Sequence, residues 1–264
     1  MDYGHLWKVC INITQRMRTS SSENILPSLC VVMPIYNESE SIEKTFLEWK
    51  GAFESQDFFG QIHLLMMNDG SKDNTIEIIK RLEIAYPQWI KVIDKSNSGH
   101  GNTCLQGYRY SFDCGYDYTM QLDSDGQCDP KYFVEFLQLL KQGNSVVYGF
   151  RYYRKDGFLR FMVSRVLSVV AFMRIGLWLW DPNVPYRVFK TKTLGAFLPI
   201  CTDDFFLVNV LLALYHKRVG MKHVMIVFRD RHGGSPSLST FKMYEHGKNF
   251  YRQLGGMVPI LKRI

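Results

Sequence analysis

The feature that most constrains the fold of this chain is a regular alternation of strand-length apolar runs with helical patterns, which begins near Leu29. The apolar runs span residues 29–33, 62–67, 90–93, 118–122 and 146–148, and the helical patterns span residues 39–53, 74–85, 101–112 and 131–141. Such alternation predicts right-handed crossover connections between neighbouring strands. We therefore expect an α/β fold, in which a mostly parallel sheet is flanked by helices on both faces.

Polar segments follow four of these strands, at the point where each strand ends. They span residues 34–38, 68–75, 97–102 and 123–125. The carboxyl ends of parallel strands meet at one edge of the sheet, and ligands bind at that edge. Polar loops are ordinary in α/β proteins, and Asp-Gly-Ser alone is a common turn. Acids on three of the four loops favour a site that binds a base, a ribose and a metal.

The fourth polar segment contains two acids, Asp123 and Asp125, directly after a short apolar strand. Because side chains alternate across an extended chain, the two carboxylates point the same way. Together with the amide oxygen of Gln127 they are hard oxygen ligands, which suit a divalent cation that already carries phosphate oxygens. By itself the pattern is also typical of a solvated turn or of a helix cap. In its context it indicates a metal–nucleotide site.

Composition narrows the partners only slightly. The chain has 264 residues and a formal net charge of +7, which suits anionic partners such as nucleotide phosphates, a membrane surface or nucleic acid. The six cysteines show no Cys-x-x-Cys pair, so we expect buried free thiols and a reducing, cytoplasmic location. Residues 1–28 are polar and lack a continuous apolar stretch. We interpret them as an N-terminal extension and linker without a secretory signal.

On these motifs the chain resembles the family 2 glycosyltransferases of the GT-A (Rossmann-like) fold, and most of all the dolichyl- or polyprenyl-phosphate mannosyl- and glucosyltransferases. The resemblance covers residues 29–238, which we expect to form the catalytic domain, followed by a C-terminal helical segment at 239–264. It implies Mg²⁺ or Mn²⁺ as the cofactor, with Asp125 and Gln127 as direct ligands. It also implies that the nucleotide sugar is bound by Pro34, Tyr36, Glu38, Met67, Asp69, Asp123 and Ser124. Asn68 departs from the family's Asp-Asp-Gly-Ser segment.

Arginines dominate the stretch that follows the fifth apolar run. The segment 149–152 matches the family's Gly-x-Arg-Tyr, which implies that Arg151 serves the reacting phosphates. Arg160 and Ser164 reproduce the spacing with which the lipid-phosphate branch holds the acceptor phosphate, and this spacing places them on one helical face. Further on, Ser237 stands where that branch usually has a lysine. Contact with the donor phosphates is therefore assigned to Arg229 or Arg231.

Residues 158–180 combine these arginines with an apolar helical arc. The arc consists of Met162, Val163, Val166, Val169, Val170, Met173, Leu177 and Trp180. Arg165 and Arg174 argue against a helix that spans a membrane, because each costs roughly 2.5–3.5 kcal/mol near the bilayer centre. Two alternatives remain: an amphipathic helix that lies on a lipid surface, or a helix packed on the sheet or on a second subunit.

The sequence thus predicts a metal-dependent inverting enzyme that transfers a hexose from a GDP- or UDP-hexose to a polyprenyl phosphate, at the cytoplasmic face of a membrane. Arg151 and Asp125 are the candidate catalytic residues. An acceptor phosphate is already anionic and needs no general base. The alternative is transfer to a sugar hydroxyl of a glycan, with Asp204 as the base, although Asp204 also suits a helix cap. A nucleic-acid-binding module is disfavoured, because aromatic residues are not interleaved with lysine and arginine.

Overall fold

The computed structural model describes residues 26–153, 184–201 and 221–232. Between and after these ranges it describes single positions at 165, 166, 168, 169, 172, 173, 176, 178, 181, 248, 251 and 252. The N-terminal extension up to residue 25, most of the predicted amphipathic helix and nearly all of the predicted C-terminal segment lie outside the described residues. So do Arg160, Ser164 and Asp204.

Seven strands form one sheet in the order β3-β2-β1-β4-β6-β5-β7. In chain order they are β1 (Ser28–Ile35), β2 (Gln61–Asp69), β3 (Ile90–Lys95), β4 (Tyr118–Gln121), β5 (Val146–Tyr153), β6 (Arg187–Lys190) and β7 (Met221–Val227). Only β6 pairs antiparallel with its neighbours, so the other six strands run in one direction. The predicted mostly parallel sheet is confirmed.

Helices cover the sheet at the predicted positions. In chain order they are α1 (Ile42–Glu54), α2 (Thr75–Ala85), α3 (His100–Asp113), α4 (Phe133–Lys141) and the short α5 (Thr191–Gly195), with single 3₁₀ turns at Pro130–Tyr132 and Leu198–Ile200. The five predicted strands and four predicted helices are all present. Most ends shift by no more than three residues, but β5 extends five residues beyond the predicted run. Neither β6 nor β7 was predicted.

The core places α1 and α3 on opposite sides of the central strands. On one side an aromatic cluster joins α1 and α4 to the sheet, since Tyr186 stacks on Phe136 at 4.2 Å and meets Trp49 edge-on at 5.3 Å. On the other side Gly107 brings α3 close to the sheet. A Cβ atom there would lie 2.3 Å from Val32 and 2.8 Å from the sulfur of Met67. The packing therefore holds α1 and α3 beside the strand ends that carry the polar loops.

The cysteines only partly follow the sequence-based expectation. Cys30, Cys104, Cys128 and Cys201 are free and buried, as predicted. Cys114, which follows the last turn of α3, is disulfide-bonded, so the prediction of a free thiol is wrong at this position. Spacing along the sequence gives no signal for this bond. Cys10 lies outside the described residues.

Among the described residues, no helix is long and apolar enough to cross a membrane. Six described positions of the predicted amphipathic segment are helical: Arg165, Val166, Ser168, Val169, Phe172 and Met173. Its apolar positions are exposed, with 55% of Val166, 41% of Val169 and 68% of Met173 accessible to solvent. Ser168 is buried. The helix therefore presents apolar side chains outward at these positions.

Candidate active site

The loops after β1 and β2 are tied together at the carboxyl edge of the sheet. The backbone N–H of Asn37 donates to Ser71 at 3.0 Å, and its side-chain oxygen accepts from the N–H of Lys72 at 2.8 Å. The N–H of Glu38 donates to the hydroxyl of Thr75 at 2.9 Å. Asn37 adopts a left-handed conformation with φ +54°, which asparagine tolerates better than most residues. These bonds fix Asn37 and Glu38 at the rim.

Asp69 ends β2 and organises the third loop. Its carboxylate is buried and accepts hydrogen bonds from Lys95, from the N–H of Ser98 at 2.8 Å and from the N–H of Gly99 at 3.0 Å. These donors shape the chain that leads into α3. The neighbouring Asn68 donates to Asp94 at 2.7 Å. Asp69 therefore lies at the predicted rim, and its carboxylate is engaged with the protein itself.

The acidic segment after β4 forms a tight turn, residues 123–127, which we call the acidic turn. Ser124 anchors it, because its hydroxyl donates to the carbonyl of Pro34 and its own carbonyl accepts from Ser41 and Thr45 of the α1 region. Gly126 has φ +76°, a conformation that favours glycine. Asp125 is 6% exposed, and one of its oxygens accepts the N–H of Gln127 at 3.0 Å. The sequence-predicted acids and Gln127 therefore share one turn.

The acidic turn and its surroundings bring several carboxylates close together, largely shielded from solvent. Burial and, to a smaller extent, the nearby charge of Asp123 raise the pKa of Asp125 to about 6. Burial also raises the pKa of Glu38. Within the described part of the chain, Oδ1 of Asp123 is buried without a hydrogen-bond partner, and it lies 3.8 Å from Nε2 of His100. A cation bound here would relieve the cost of holding these carboxylates together.

The chain that follows β7, residues 228–232, lies across the acidic turn; we call it the covering segment. The N–H of Arg229 donates to the carbonyl of Gln127 at 3.0 Å, and the N–H of His232 donates to the carbonyl of Asp125 at 3.1 Å. The side-chain amide of Gln127 donates to the carbonyl of Arg229 at 3.4 Å. With its nitrogen engaged in this way, the amide of Gln127 keeps its oxygen as the candidate metal ligand.

Side chains of the covering segment reach the acids around the turn. Arg231 lies 2.9 Å from Glu38 and 3.5 Å from Asp125. Arg229 lies 2.5 Å from Glu48 of α1, and Nε2 of His232 lies 3.3 Å from the same carboxylate oxygen. Burial opposes ionisation of Glu48, but the hydrogen bonds from Arg229 and His232 outweigh it, so the pKa of Glu48 is lowered.

Glu48 and His232 are the residues that sequence reasoning missed. Glu48 lies in the middle of an amphipathic helix, where an acid is usually solvated, and its partners follow far along the chain. His232 follows the predicted Arg231 directly, but its neighbours in sequence include no metal-ligand pattern. Only the fold brings them together beside the acidic turn.

Arg151 lies near the end of β5, and an acid holds its side chain. Its guanidinium forms two hydrogen bonds with Asp181, at 2.7 and 2.8 Å; Asp181 is buried, and the side chain of Arg151 is 9% exposed. The same guanidinium lies 4.9 Å from the ring centre of Phe228, at the start of the covering segment. The structure thus places Arg151 next to the site in a fixed orientation.

The remaining predicted contacts divide into two groups. Tyr36 lies at the rim and is 40% exposed, so its ring is accessible to a ligand. Met67 is 1% exposed and packs against Gly107 of α3, which places its side chain beneath the rim. Among the described residues, no group of three or more histidine, cysteine or acidic side chains could hold a metal by itself. The acids and the amide of the acidic turn would need phosphate oxygens to complete a metal site.

Comparison with known proteins agrees with this geometry. The model of glycosyl transferase family 2 matches residues 30–211, more than half of the chain, and the protein belongs to that family. The family predicted from the motifs is therefore confirmed.

Two relatives carry names that refer to polyprenyl phosphates or polyprenols. The chain is 25% identical over 185 residues to the undecaprenyl-phosphate 4-deoxy-4-formamido-L-arabinose transferase of Pseudomonas syringae, covering 66% of this chain and 53% of that protein. It is 23% identical over 224 residues to the polyprenol monophosphomannose synthase of Mycolicibacterium smegmatis, covering 81% and 82%. The chain thus spans about half the length of the first relative and most of the second.

A solved structure confirms the predicted GT-A fold. Glucosyl-3-phosphoglycerate synthase from Mycobacterium tuberculosis, in complex with Mn²⁺, UDP-glucose and phosphoglyceric acid, superposes with a TM-score of 0.63. The two sequences are 18% identical, and the match covers 88% of this chain and 80% of that one. At this sequence identity, the structural similarity shows the fold alone.

Proposed function

We propose that the protein is a metal-dependent, inverting hexosyltransferase that uses a nucleotide diphosphate sugar as donor and a polyprenyl phosphate as acceptor. The observation that carries the proposal is the contact of Arg231 with both Glu38 and Asp125. Arg231 belongs to the covering segment, which is hydrogen-bonded to the acidic turn. Buried acids and an arginine meet here at the edge of the sheet where nucleotides bind in α/β folds.

The residues present fit a divalent cation. Asp125 and Gln127 would be its direct ligands, with Asp123 beside them, and the buried Oδ1 of Asp123 has no other hydrogen-bond partner among the described residues. Hard oxygen ligands of this kind suit Mg²⁺ or Mn²⁺. The Mn²⁺ and UDP-glucose named with the structural neighbour support this choice. When bound, the metal would supply Lewis-acid stabilisation of the departing nucleotide diphosphate.

The chain's own residues would position the donor. Nε of Arg231 is buried and finds no hydrogen-bond partner within the described part of the chain, so it has a donor to offer to a phosphate oxygen. Arginine binds phosphate through two parallel hydrogen bonds. Tyr36 lies exposed at the rim, where the base is expected, and the loop that Asp69 holds closes the same side. GDP- and UDP-hexoses are both proposed donors.

The acceptor side of the proposal rests on Arg160 and Ser164, which lie outside the described residues. The names of the two relatives support a polyprenyl phosphate. The exposed apolar positions Val166, Val169 and Met173 support a helix that contacts a lipid surface, so we propose a peripheral position on the cytoplasmic face of a membrane. An acceptor phosphate attacks as an anion, and positioning is then the main demand on the protein.

A radiolabelled donor tests this function. Protein with Mn²⁺, a labelled GDP- or UDP-hexose and a polyprenyl phosphate should give a product that partitions into organic solvent and releases its sugar in mild acid. The alternative, transfer to a sugar hydroxyl of a glycan with Asp204 as base, predicts a water-soluble, acid-stable product that is lost in Asp204→Asn. The second result would replace the proposed acceptor. Absence of any transfer, with donor binding also absent, would refute the proposal.

A further inference from the structure

We infer that Glu48 is a positioning residue for the metal site, which it stabilises from α1 by holding the covering segment against the acidic turn. The inference rests on the proposed function, because it concerns how the same site is kept in its binding geometry. Glu48 itself would touch neither the metal nor the donor.

Residues on one face of the α1 region contact both the acidic turn and the covering segment. Ser41, Thr45 and Glu48 are spaced four and three residues apart, so they lie on the same face. The hydroxyls of Ser41 and Thr45 donate to the carbonyl of Ser124, at 3.3 and 3.2 Å, which fixes the acidic turn from below. Glu48, one turn further along, accepts hydrogen bonds from the side chains of Arg229 and His232 and so holds the covering segment.

The link from Glu48 to the metal ligands is short. Arg229 and His232, the two residues that Glu48 holds, are also the two whose backbone N–H groups bond to Gln127 and Asp125. The ring of His232 lies against Gly126, so close that a Cβ atom at that glycine would be 2.0 Å from it. Releasing either side chain from Glu48 would therefore loosen the turn that carries both proposed ligands.

The same arrangement orients Arg231. This arginine lies between Arg229 and His232, so its backbone is restrained while both of those residues stay bound to Glu48. Its guanidinium is thereby directed to Glu38 and Asp125, where the donor phosphates are expected. Partners that orient metal ligands in this way contribute about 10–100-fold to metal affinity.

The test compares two variants of one helix. Glu48→Gln removes the charge that holds the covering segment, whereas Glu43→Gln removes an exposed ion pair between α1 and Arg81 of α2. Mn²⁺ binding is titrated by electron paramagnetic resonance in the presence of saturating UDP or GDP, whichever the wild type binds. We expect Glu48→Gln to bind Mn²⁺ about 10–100-fold more weakly than wild type, and Glu43→Gln to bind it as wild type does. Thermal unfolding checks that both variants are folded.

A salt series separates positioning from simple charge removal. A through-space effect of the lost carboxylate shrinks as the Debye length falls from about 10 Å at 0.1 M to about 3 Å at 1 M salt. A loss of Mn²⁺ affinity, relative to wild type in the same buffer, that persists at 1 M supports positioning. A loss that disappears there, or no loss in Glu48→Gln, overturns the inference while the proposed function stands. If wild-type protein binds neither Mn²⁺ nor nucleotide, the proposed function fails first.

Discussion

Replacing Gly126 by alanine tests two features of the acidic turn: the left-handed backbone at this residue and the contact with the ring of His232. Gly126 has φ +76°, and its missing Cβ would lie 2.0 Å from Cδ2 of His232. Ordinary contact begins at 3.4 Å, so the imidazole would have to retreat by about 1.4 Å. Its hydrogen bond to Glu48 is already 3.3 Å long and would not survive this shift.

Gly143 supplies the matched control. It has φ +87° in the turn between α4 and β5, and nothing lies within 4 Å of the Cβ it would gain. Left-handed backbone costs a non-glycine residue about 1–2 kcal/mol, which corresponds to a fall of about 2–8 °C in Tm for a domain of this size. We expect Gly126→Ala to lose more stability than Gly143→Ala, because it also breaks the hydrogen bond between His232 and Glu48.

The two variants should differ in binding. Gly126→Ala displaces His232 and should weaken Mn²⁺–nucleotide binding by about tenfold or more, measured by isothermal titration calorimetry. Gly143→Ala should bind as wild type does once its lower Tm is taken into account. Equal affinity in the two variants would refute the conclusion that His232 holds the acidic turn.

Two further predictions concern buried ionisable groups. Arg151→Ala leaves the buried carboxylate of Asp181 without its bidentate partner, so we expect a loss of about 3–5 kcal/mol in unfolding free energy by urea titration; a change below about 1 kcal/mol would show that the pair is not buried in solution. The same variant, assayed below its Tm, should lose turnover while it keeps nucleotide binding, and equal loss of both would contradict the proposed role of Arg151. Burial lowers the pKa of His63 from 6.5 to about 4, so the unfolded chain takes up this proton first as the pH falls. Stability should then fall by about 2 kcal/mol between pH 7 and pH 5, and His63→Asn should flatten that part of the profile; an unchanged profile would contradict the assignment.

The central half of the fold was predictable because its strands are buried on both faces. β1 and β2 are almost wholly buried, and such strands appear in the sequence as continuous apolar runs. β6 was not predictable in this way, since it has four residues and starts at a buried arginine, Arg187. β7 exposes Lys222, His223 and Met225, so its pattern resembles a surface segment.

The candidate site was predictable where the chemistry is local in sequence. Asp123, Asp125 and Gln127 share one turn, and the acids that follow neighbouring parallel strands must meet at one edge of the sheet. Contacts between distant segments gave no such signal. Glu48 and His232 are separated by most of the domain, and the pairing of Arg151 with Asp181 depends on how the chain returns to β6. Sequence motifs predicted the candidate ligands of the site but not the residues that contact them.

The most direct test of the account is the position of a metal in crystals grown with Mn²⁺ and UDP or GDP. An anomalous difference map should show Mn²⁺ within about 2.3 Å of a carboxylate oxygen of Asp125 and of the side-chain oxygen of Gln127. The nucleotide diphosphate should complete the coordination, with Arg231 on its phosphates. A nucleotide bound at the rim with no metal at the acidic turn, or a metal held by other residues, would contradict the account.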